Sequence, residues 1–90
     1  MSIRVHIPTP MRQYTDNHAV VEGAGTTVKD LLDNLGTKYP GIVSRLFENG
    51  QVRRFVNVYL NDEDIRYLDS LQTAVKDGDE VSIIPAVAGG

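Results

Sequence analysis

One stretch decides the fold class: Thr27-Val28-Lys29-Asp30-Leu31-Leu32-Asp33-Asn34-Leu35-Gly36-Thr37-Lys38-Tyr39. Its apolar residues recur at helical spacing and form one face, while most of its charged side chains lie off that face. Thr27 and Asp30 resemble a capping box, so we expect the helix to begin there. Pro40 and Gly41 end it. The sequence therefore predicts one amphipathic helix whose apolar face must be buried. That face comprises Val28, Leu31, Leu32, Leu35 and Tyr39.

Two short strands are predicted before the helix. Ile3, Val5 and Ile7 alternate with polar residues, the period-two pattern of a half-buried strand. Residues 18–22 are short and rich in β-branched side chains, which favours a second strand. Together they predict a hairpin with a long connection.

Further strands are predicted after the helix. The strongest prediction is residues 55–60, followed by a turn at 61–64 and a brief edge strand at 65–67. Residues 80–84 form the last strand, in which Val81 and Ile83 point to one face. Around residues 42–47 we expect a short helical turn that closes one end of the core.

This order of elements predicts an α+β fold, with one helix across one face of a small mixed sheet. We expect a single domain over residues 1–85 and a flexible tail over residues 86–90. The helix face should pack on the apolar side of the strands. Those strand residues are Val5, Val56, Val58 and Val81.

Composition excludes several classes of protein. Hydrophobic content is 41% and charged content 23%, which is typical of a globular domain. Net charge is −3, so non-specific binding to nucleic acid is not expected. The absence of cysteine excludes disulfides and cysteine nucleophiles. No apolar run is long enough to span a membrane, and we expect a cytoplasmic protein.

The body of the chain offers no convincing catalytic or metal site. Residues 62–64 are three consecutive carboxylates, but they lack the spacing of a calcium loop and are interpreted as a solvated turn. His6 and His18 could meet across the first hairpin, yet zinc needs more ligands. We therefore predict no catalytic side chain, no metal and no bound cofactor.

The last strand leads into an unusual tail, Pro85-Ala86-Val87-Ala88-Gly89-Gly90. Pro85 has no N–H for the sheet and should release the residues after it. The five residues from Ala86 can extend roughly 16–18 Å. Gly89 and Gly90 have no Cβ, so their backbone can enter a narrow channel. We expect Ala86, Val87, Ala88 and Gly89 to thread into a partner's active site, and the carboxylate of Gly90 to be the reactive group.

A second candidate site lies at the base of this tail. Phe55, Tyr59 and Ile84 are expected on the outer sheet face, which is usually polar in antiparallel sheets. Beside a reactive chain end, these three residues are interpreted as a surface that docks a partner.

The tail resembles that of the ubiquitin-like sulfur carriers, which include the small subunit of molybdopterin synthase and the thiamine sulfur carrier. So do the turn and strand at residues 77–81 and the pattern Thr27-Val28-x-x-Leu31-Leu32. The similarity covers nearly the whole chain and implies a β-grasp fold. Residues 54–66 and the tail from Ile84 resemble the branch that supplies sulfur for cysteine biosynthesis.

This resemblance implies a cosubstrate rather than an enzyme. An activating adenylyltransferase would use ATP to adenylate Gly90, and a sulfur donor would convert the adenylate to a thiocarboxylate. A pyridoxal-phosphate cysteine synthase and a metalloprotease would then use that sulfur. Two alternatives stay open. One is the small subunit of molybdopterin synthase, partnered by the large subunit; the other is a ubiquitin-like modifier joined to target lysines.

Overall fold

A computed structural model of the chain describes residues 2–85. Within these residues the predicted helix and most of the predicted strands are present, together with four short 3-10 segments. The strands are β1 (Ile3–His6), β2 (Val20–Gly23), β3 (Phe47–Glu48), β4 (Gln51–Val52), β5 (Val56–Leu60), β6 (Glu63–Asp64) and β7 (Glu80–Pro85). The α-helices are α1 (Val28–Lys38) and α2 (Val43–Leu46), and the 3-10 segments are Thr9–Tyr14, Pro40–Ile42, Ile65–Tyr67 and Ser70–Gln72.

Helix α1 begins as the sequence predicted, but only half of the capping box is made. The Thr27 hydroxyl accepts a hydrogen bond from the Asp30 backbone N–H at 3.2 Å. The Asp30 carboxylate turns instead to the hydroxyl of Thr26, which donates to it at 2.9 Å. A carboxylate in the first turn still interacts favourably with the helix dipole. The helix ends at Lys38, one residue before the expected end, because Tyr39 precedes Pro40 and leaves the helical conformation, with φ −131° and ψ 78°.

The main sheet has five strands in the order β2-β1-β7-β5-β6 and is mixed, as predicted. Strands β1 and β2 pair as an antiparallel hairpin whose long connection contains a 3-10 segment. Strand β7 lies parallel to β1 and antiparallel to β5. The first and last strands are therefore neighbours in the middle of the sheet, and β7 ends at Pro85 beside Val56 of β5.

The core confirms the predicted packing. Every residue of the expected helix and strand contact is buried in one hydrophobic cluster, except that Tyr39 is only half-buried. Alternation along β5 places Val56 and Val58 in this cluster, while Asn57 and Tyr59 face the other way. Such alternation fixes the register, because a slip by one residue would exchange the two faces. The buried contact set is Val5, Val28, Leu31, Leu32, Leu35, Val56, Val58 and Val81.

Strands β3 and β4 form a small separate hairpin that the sequence analysis missed. Asn49 and Gly50 connect them with φ angles of 55° and 78°, the conformation of a two-residue turn. Asn-Gly is the usual sequence for this turn and would have revealed the hairpin.

Two predictions after β5 are wrong. Residues 65–67 form a 3-10 segment rather than an edge strand, and the edge strand β6 lies earlier, within the predicted turn. Asn61 and Asp62 both have positive φ and reverse the chain in two residues, so that Glu63 already pairs with Leu60. The Asp64 carboxylate then accepts a hydrogen bond from the Arg66 N–H at 2.9 Å, which caps the next segment.

The interpretation of residues 62–64 as a solvated turn is also wrong for Asp64, which is buried. Its side chain is 7% exposed and accepts from the Arg66 guanidinium at 2.7 Å. These hydrogen bonds from Arg66 hold the pKa of Asp64 below its ordinary value, although burial acts in the opposite direction.

We expect Asp64→Asn to lower the free energy of unfolding at neutral pH. A depressed folded-state pKa contributes stability above the unfolded-state pKa, and this stability is lost as pH falls through the folded value. The difference between wild type and variant should therefore begin to shrink as pH falls to about 4, the unfolded pKa, and should vanish only below the lower folded pKa. Urea denaturation from pH 7 to pH 3 measures it. Asp62→Asn, at an exposed position in the same turn, is the matched control; equal losses in both variants would contradict a specific Asp64–Arg66 contribution.

Candidate docking surface and C-terminal strand

The outer face of the sheet is set by the register of β7 against β5. Ile84 lies opposite Asn57, and Ser82 lies opposite Tyr59. Tyr59 and Ile84 are therefore diagonal neighbours on one face, as predicted, within reach of long side chains. Ile84 is 44% exposed, and Tyr59 is half-buried.

Phe55 is not part of the strand, contrary to the prediction. The Val56 N–H donates to the Arg53 carbonyl at 3.0 Å, so residues 53–56 form a turn and β5 starts only at Val56. Phe55 is 53% exposed at this turn. Its ring lies 5.7 Å from the guanidinium carbon of Arg54, a cation–π contact. The sequence analysis gave Arg54 no role and so missed this contact, although the Arg-Phe dipeptide was a signal for it.

The outer face is polar at one end of β7 and apolar at the other. At the start of the strand, His6 Nε2 lies 2.7 Å from Glu80 Oε1 on the neighbouring strand. At the end of the strand lie Ile84 and then Pro85, which pairs with Val56. The apolar end therefore lies where the chain leaves the sheet, next to the turn that carries Phe55.

Within residues 2–85, no group of three or more His, Cys, Asp or Glu side chains is placed to hold a metal ion. The candidate metal ligands from the sequence analysis form contacts with other residues instead. His6 pairs with Glu80 rather than with His18, and Asp64 is bound by Arg66.

The predicted reactive tail lies outside the described residues. This applies to Gly90 and to the threading residues Ala86, Val87, Ala88 and Gly89. The structure does show the strand continuing to Pro85 in register with β5, so the tail starts at the apolar end of the outer face.

Comparison with known proteins then assigns the family. Residues 5–90 match the profile of the ThiS family, so the matched region reaches the final diglycine. The chain belongs to the ThiS family. Members of this family are ubiquitin-like sulfur carriers, and the chain has their β-grasp fold.

Individual relatives refine this picture. The sulfur carrier protein CysO of Mycobacterium tuberculosis is 44% identical, and the alignment covers 100% of both chains. In the crystal structure of the Amycolatopsis orientalis BexX/CysO complex, one chain superposes with a TM-score of 0.92 at 44% identity, covering 98% of this chain and 99% of that one. Small archaeal modifier protein 3 of Haloferax volcanii is 47% identical over 64 residues, which cover 71% of this chain and 70% of that one.

The resemblance inferred from the tail and the helix motif is confirmed at the level of family and fold. CysO of Mycobacterium tuberculosis, which aligns along its whole length, is named a sulfur carrier protein. In the part of the chain that the structure describes, no helix has the length and apolar character needed to cross a membrane.

The docking surface is tested by Ile84→Asp. Because Ile84 is exposed, a carboxylate there should leave the fold intact while placing a charge in the apolar patch. We expect a melting temperature close to that of wild type and binding to an activating enzyme weakened by about tenfold or more. Titration calorimetry and thermal melts measure the two effects.

Val20→Asp is the matched control for this variant. Val20 is 43% exposed and lies on β2, at the opposite edge of the sheet from β5. Equal affinity of Ile84→Asp and wild type would remove Ile84 from the docking surface, and equal weakening in both variants would point to a general charge effect.

Proposed function

We propose that this chain carries sulfur as a thiocarboxylate on Gly90 and delivers it for the biosynthesis of cysteine. The observation that carries the proposal is the extent of the family match, which runs from β1 to Gly90 and includes the diglycine. The full-length similarity to CysO supports the cysteine branch. The tail would supply the reactive atoms, and the folded body would supply the surface that a partner binds.

The proposed chemistry takes place in two steps. A carboxylate is a poor electrophile, so the Gly90 carboxylate first attacks the α-phosphate of ATP and forms an acyl-adenylate, with release of pyrophosphate. Sulfur from a sulfide donor then attacks the acyl carbon, and AMP leaves with the bonding electron pair. The product is –COSH, in which sulfur replaces one carboxylate oxygen. Splitting one hard substitution into two easier ones is the general logic of covalent catalysis.

No side chain of this protein is needed for either step. We propose that the adenylyltransferase supplies the catalytic groups and that this chain supplies a docking surface near the base of the tail. Ile84 and Tyr59 contribute the apolar contact, with Phe55 at the adjacent turn. The proposed recipients are a pyridoxal-phosphate cysteine synthase and a metalloprotease. At the synthase, the thiocarboxylate sulfur would displace the leaving group of an activated serine derivative, and an acyl shift from sulfur to nitrogen would join the new cysteine to Gly90 as an amide. The metalloprotease would hydrolyse that amide and release cysteine. Because the activation consumes ATP, we place the reaction in the cytoplasm.

Intact-mass spectrometry tests the proposal. The protein is incubated with an activating enzyme of this family, ATP and sulfide, and its mass is then compared with that of untreated protein. Replacement of oxygen by sulfur should add about 16 Da, and the gain should require ATP. A fragment spectrum should place the added mass on Gly90. An unchanged mass under conditions that load another carrier of the family would contradict the proposal.

A modifier role is the second candidate, because the similarity to a small archaeal modifier protein covers 71% of the chain. The same experiment separates the two roles when a cell extract is added. A modifier would give isopeptide bonds between Gly90 and lysine side chains, whereas a dedicated carrier would give only the thiocarboxylate. Incubation of the loaded protein with a cysteine synthase or with a molybdopterin synthase large subunit separates the two biosynthetic branches.

A further inference from the structure

A second surface, distinct from the outer face of the sheet, lies along the edge of β5. Strand β6 pairs with β5 only at Tyr59 and Leu60, so it covers less than half of that strand's edge. Residues 56–58 instead border a groove of about 510 Å³. Strand edges left open in this way are ready-made templates for pairing with another chain.

The groove has an apolar lining contributed by β4, β5 and the 3-10 segments Ile65–Tyr67 and Ser70–Gln72. Val52 and Leu71 are half-buried and remain open to a ligand, whereas the other three apolar side chains are buried. The groove therefore offers apolar contact alongside a strand edge. Its apolar lining residues are Val52, Val56, Val58, Ile65 and Leu71.

The charged residues of the groove are unevenly distributed. Asp64 is already paired with Arg66 at 2.7 Å, so these two charges compensate each other. Arg53 and Arg54 lie at the end where β5 begins, with Asp69 in the groove and Glu48 beside it, 3.9 Å from Arg53. Among the arginines of the groove, only Arg53 and Arg66 form ion pairs within residues 2–85.

Arg53 is held in place before any ligand binds. Its Nε donates to the Ser44 carbonyl at 2.8 Å, and its nearest carboxylate is 3.9 Å away on exposed Glu48. For Arg54, no carboxylate ion pair is present among residues 2–85; its guanidinium lies against the ring of Phe55. Positioned guanidinium groups with spare N–H donors are suited to binding carboxylates.

We propose that this groove binds an extended peptide of a partner protein that combines β-branched or apolar residues with a flanking Asp or Glu. The peptide pairs its backbone, as an added strand, with the part of residues 56–58 that stays open, since the Val56 N–H already donates to the Arg53 carbonyl. Its alternate side chains contact the apolar lining of the groove. Its acidic residue meets Arg53 and Arg54. The site lies beside the docking surface, but its recognition does not depend on Gly90 or on sulfur transfer.

Selection from a random decapeptide display library tests the proposal. Full-length wild type is the target, and Arg53→Glu/Arg54→Glu is used for counter-selection. We expect enriched peptides with an acidic residue next to alternating Val, Ile or Thr, and binding about tenfold or more weaker to the charge-reversed variant. Nuclear magnetic resonance shifts should map to residues 56–58 and 65–72. Absence of differential enrichment, or shifts centred on the outer face, would overturn the proposal.

Three controls keep the outcome specific. Arg45→Glu, an exposed arginine outside the groove, should bind the peptides like wild type. Ile84→Asp should also bind them, so a failure of the sulfur-carrier proposal remains separable from a failure of this one. Two sets of N-methylated peptides are compared, one methylated at the even-numbered residues and one at the odd-numbered residues. Only one set should bind more weakly, because only every second residue of an added strand directs its N–H toward β5.

Equal weakening in both sets, or self-association of this chain through the groove, would overturn strand addition by a partner peptide.

Discussion

Removal of Gly89 and Gly90 is expected to abolish adenylation and sulfur loading while leaving the melting temperature almost unchanged. The loss of activity follows from the shorter tail, which no longer brings the acyl carbon to the partner's active site. The acyl carbon must come within about 3–3.5 Å of the attacking atom, and the loss of two residues withdraws it by roughly 7 Å. The stability follows from the core, because every residue of the buried cluster lies between Ile3 and Ile83. ATP–pyrophosphate exchange with the activating enzyme, alongside thermal melts, measures both halves.

Two single substitutions distinguish the effect of tail length from the effect of side-chain bulk. Gly89→Val keeps the length of the tail but adds a branched Cβ, and should lose exchange activity if the partner's channel admits only backbone. Ala88→Gly also keeps the length and adds no bulk, so it should behave like wild type. Pyrophosphate exchange by the truncated protein would show that the terminal carboxylate is not the reactive group, and the sulfur-carrier proposal would then be wrong.

Leu32→Ala is expected to destabilise the fold by about 2–5 kcal/mol, a large part of the stability of a typical small domain. Leu32 is 1% exposed and belongs to the cluster that joins α1 to the sheet. Its removal deletes apolar contacts and leaves a cavity that rigid neighbours cannot fill completely. Guanidinium denaturation monitored by circular dichroism gives the change directly.

The same change at Leu68 is the matched control. Leu68 is 37% exposed and lies outside the hydrophobic cluster, so Leu68→Ala should cost no more than about 0.5 kcal/mol. Equal midpoints for Leu32→Ala and wild type would mean that the apolar face of the helix is not the face that carries stability.

The sequence by itself determined the elements whose signals are local. The apolar face of α1, the Thr27 cap and the alternation along β5 and β7 each follow from neighbouring residues, and each is present in the structure. The family could be predicted in the same way, because the diglycine tail and the helix motif are contiguous in the chain. The Asn49-Gly50 turn was equally local, and missing it was an error of interpretation rather than a limit of the sequence.

Only the tertiary structure decided features that depend on distant pairing. The parallel contact of β1 with β7 joins residues more than seventy positions apart, and it alone places His6 against Glu80. Asp64 could not be recognised as buried from three consecutive carboxylates, because its burial depends on where Arg66 and the short segment after it fold. The groove beside β5 arises in the same way, since residues 51–54 and 64–72 meet only when the sheet has formed. Local periodicity specifies which residues are buried, whereas the pairing of strands specifies which exposed groups become neighbours.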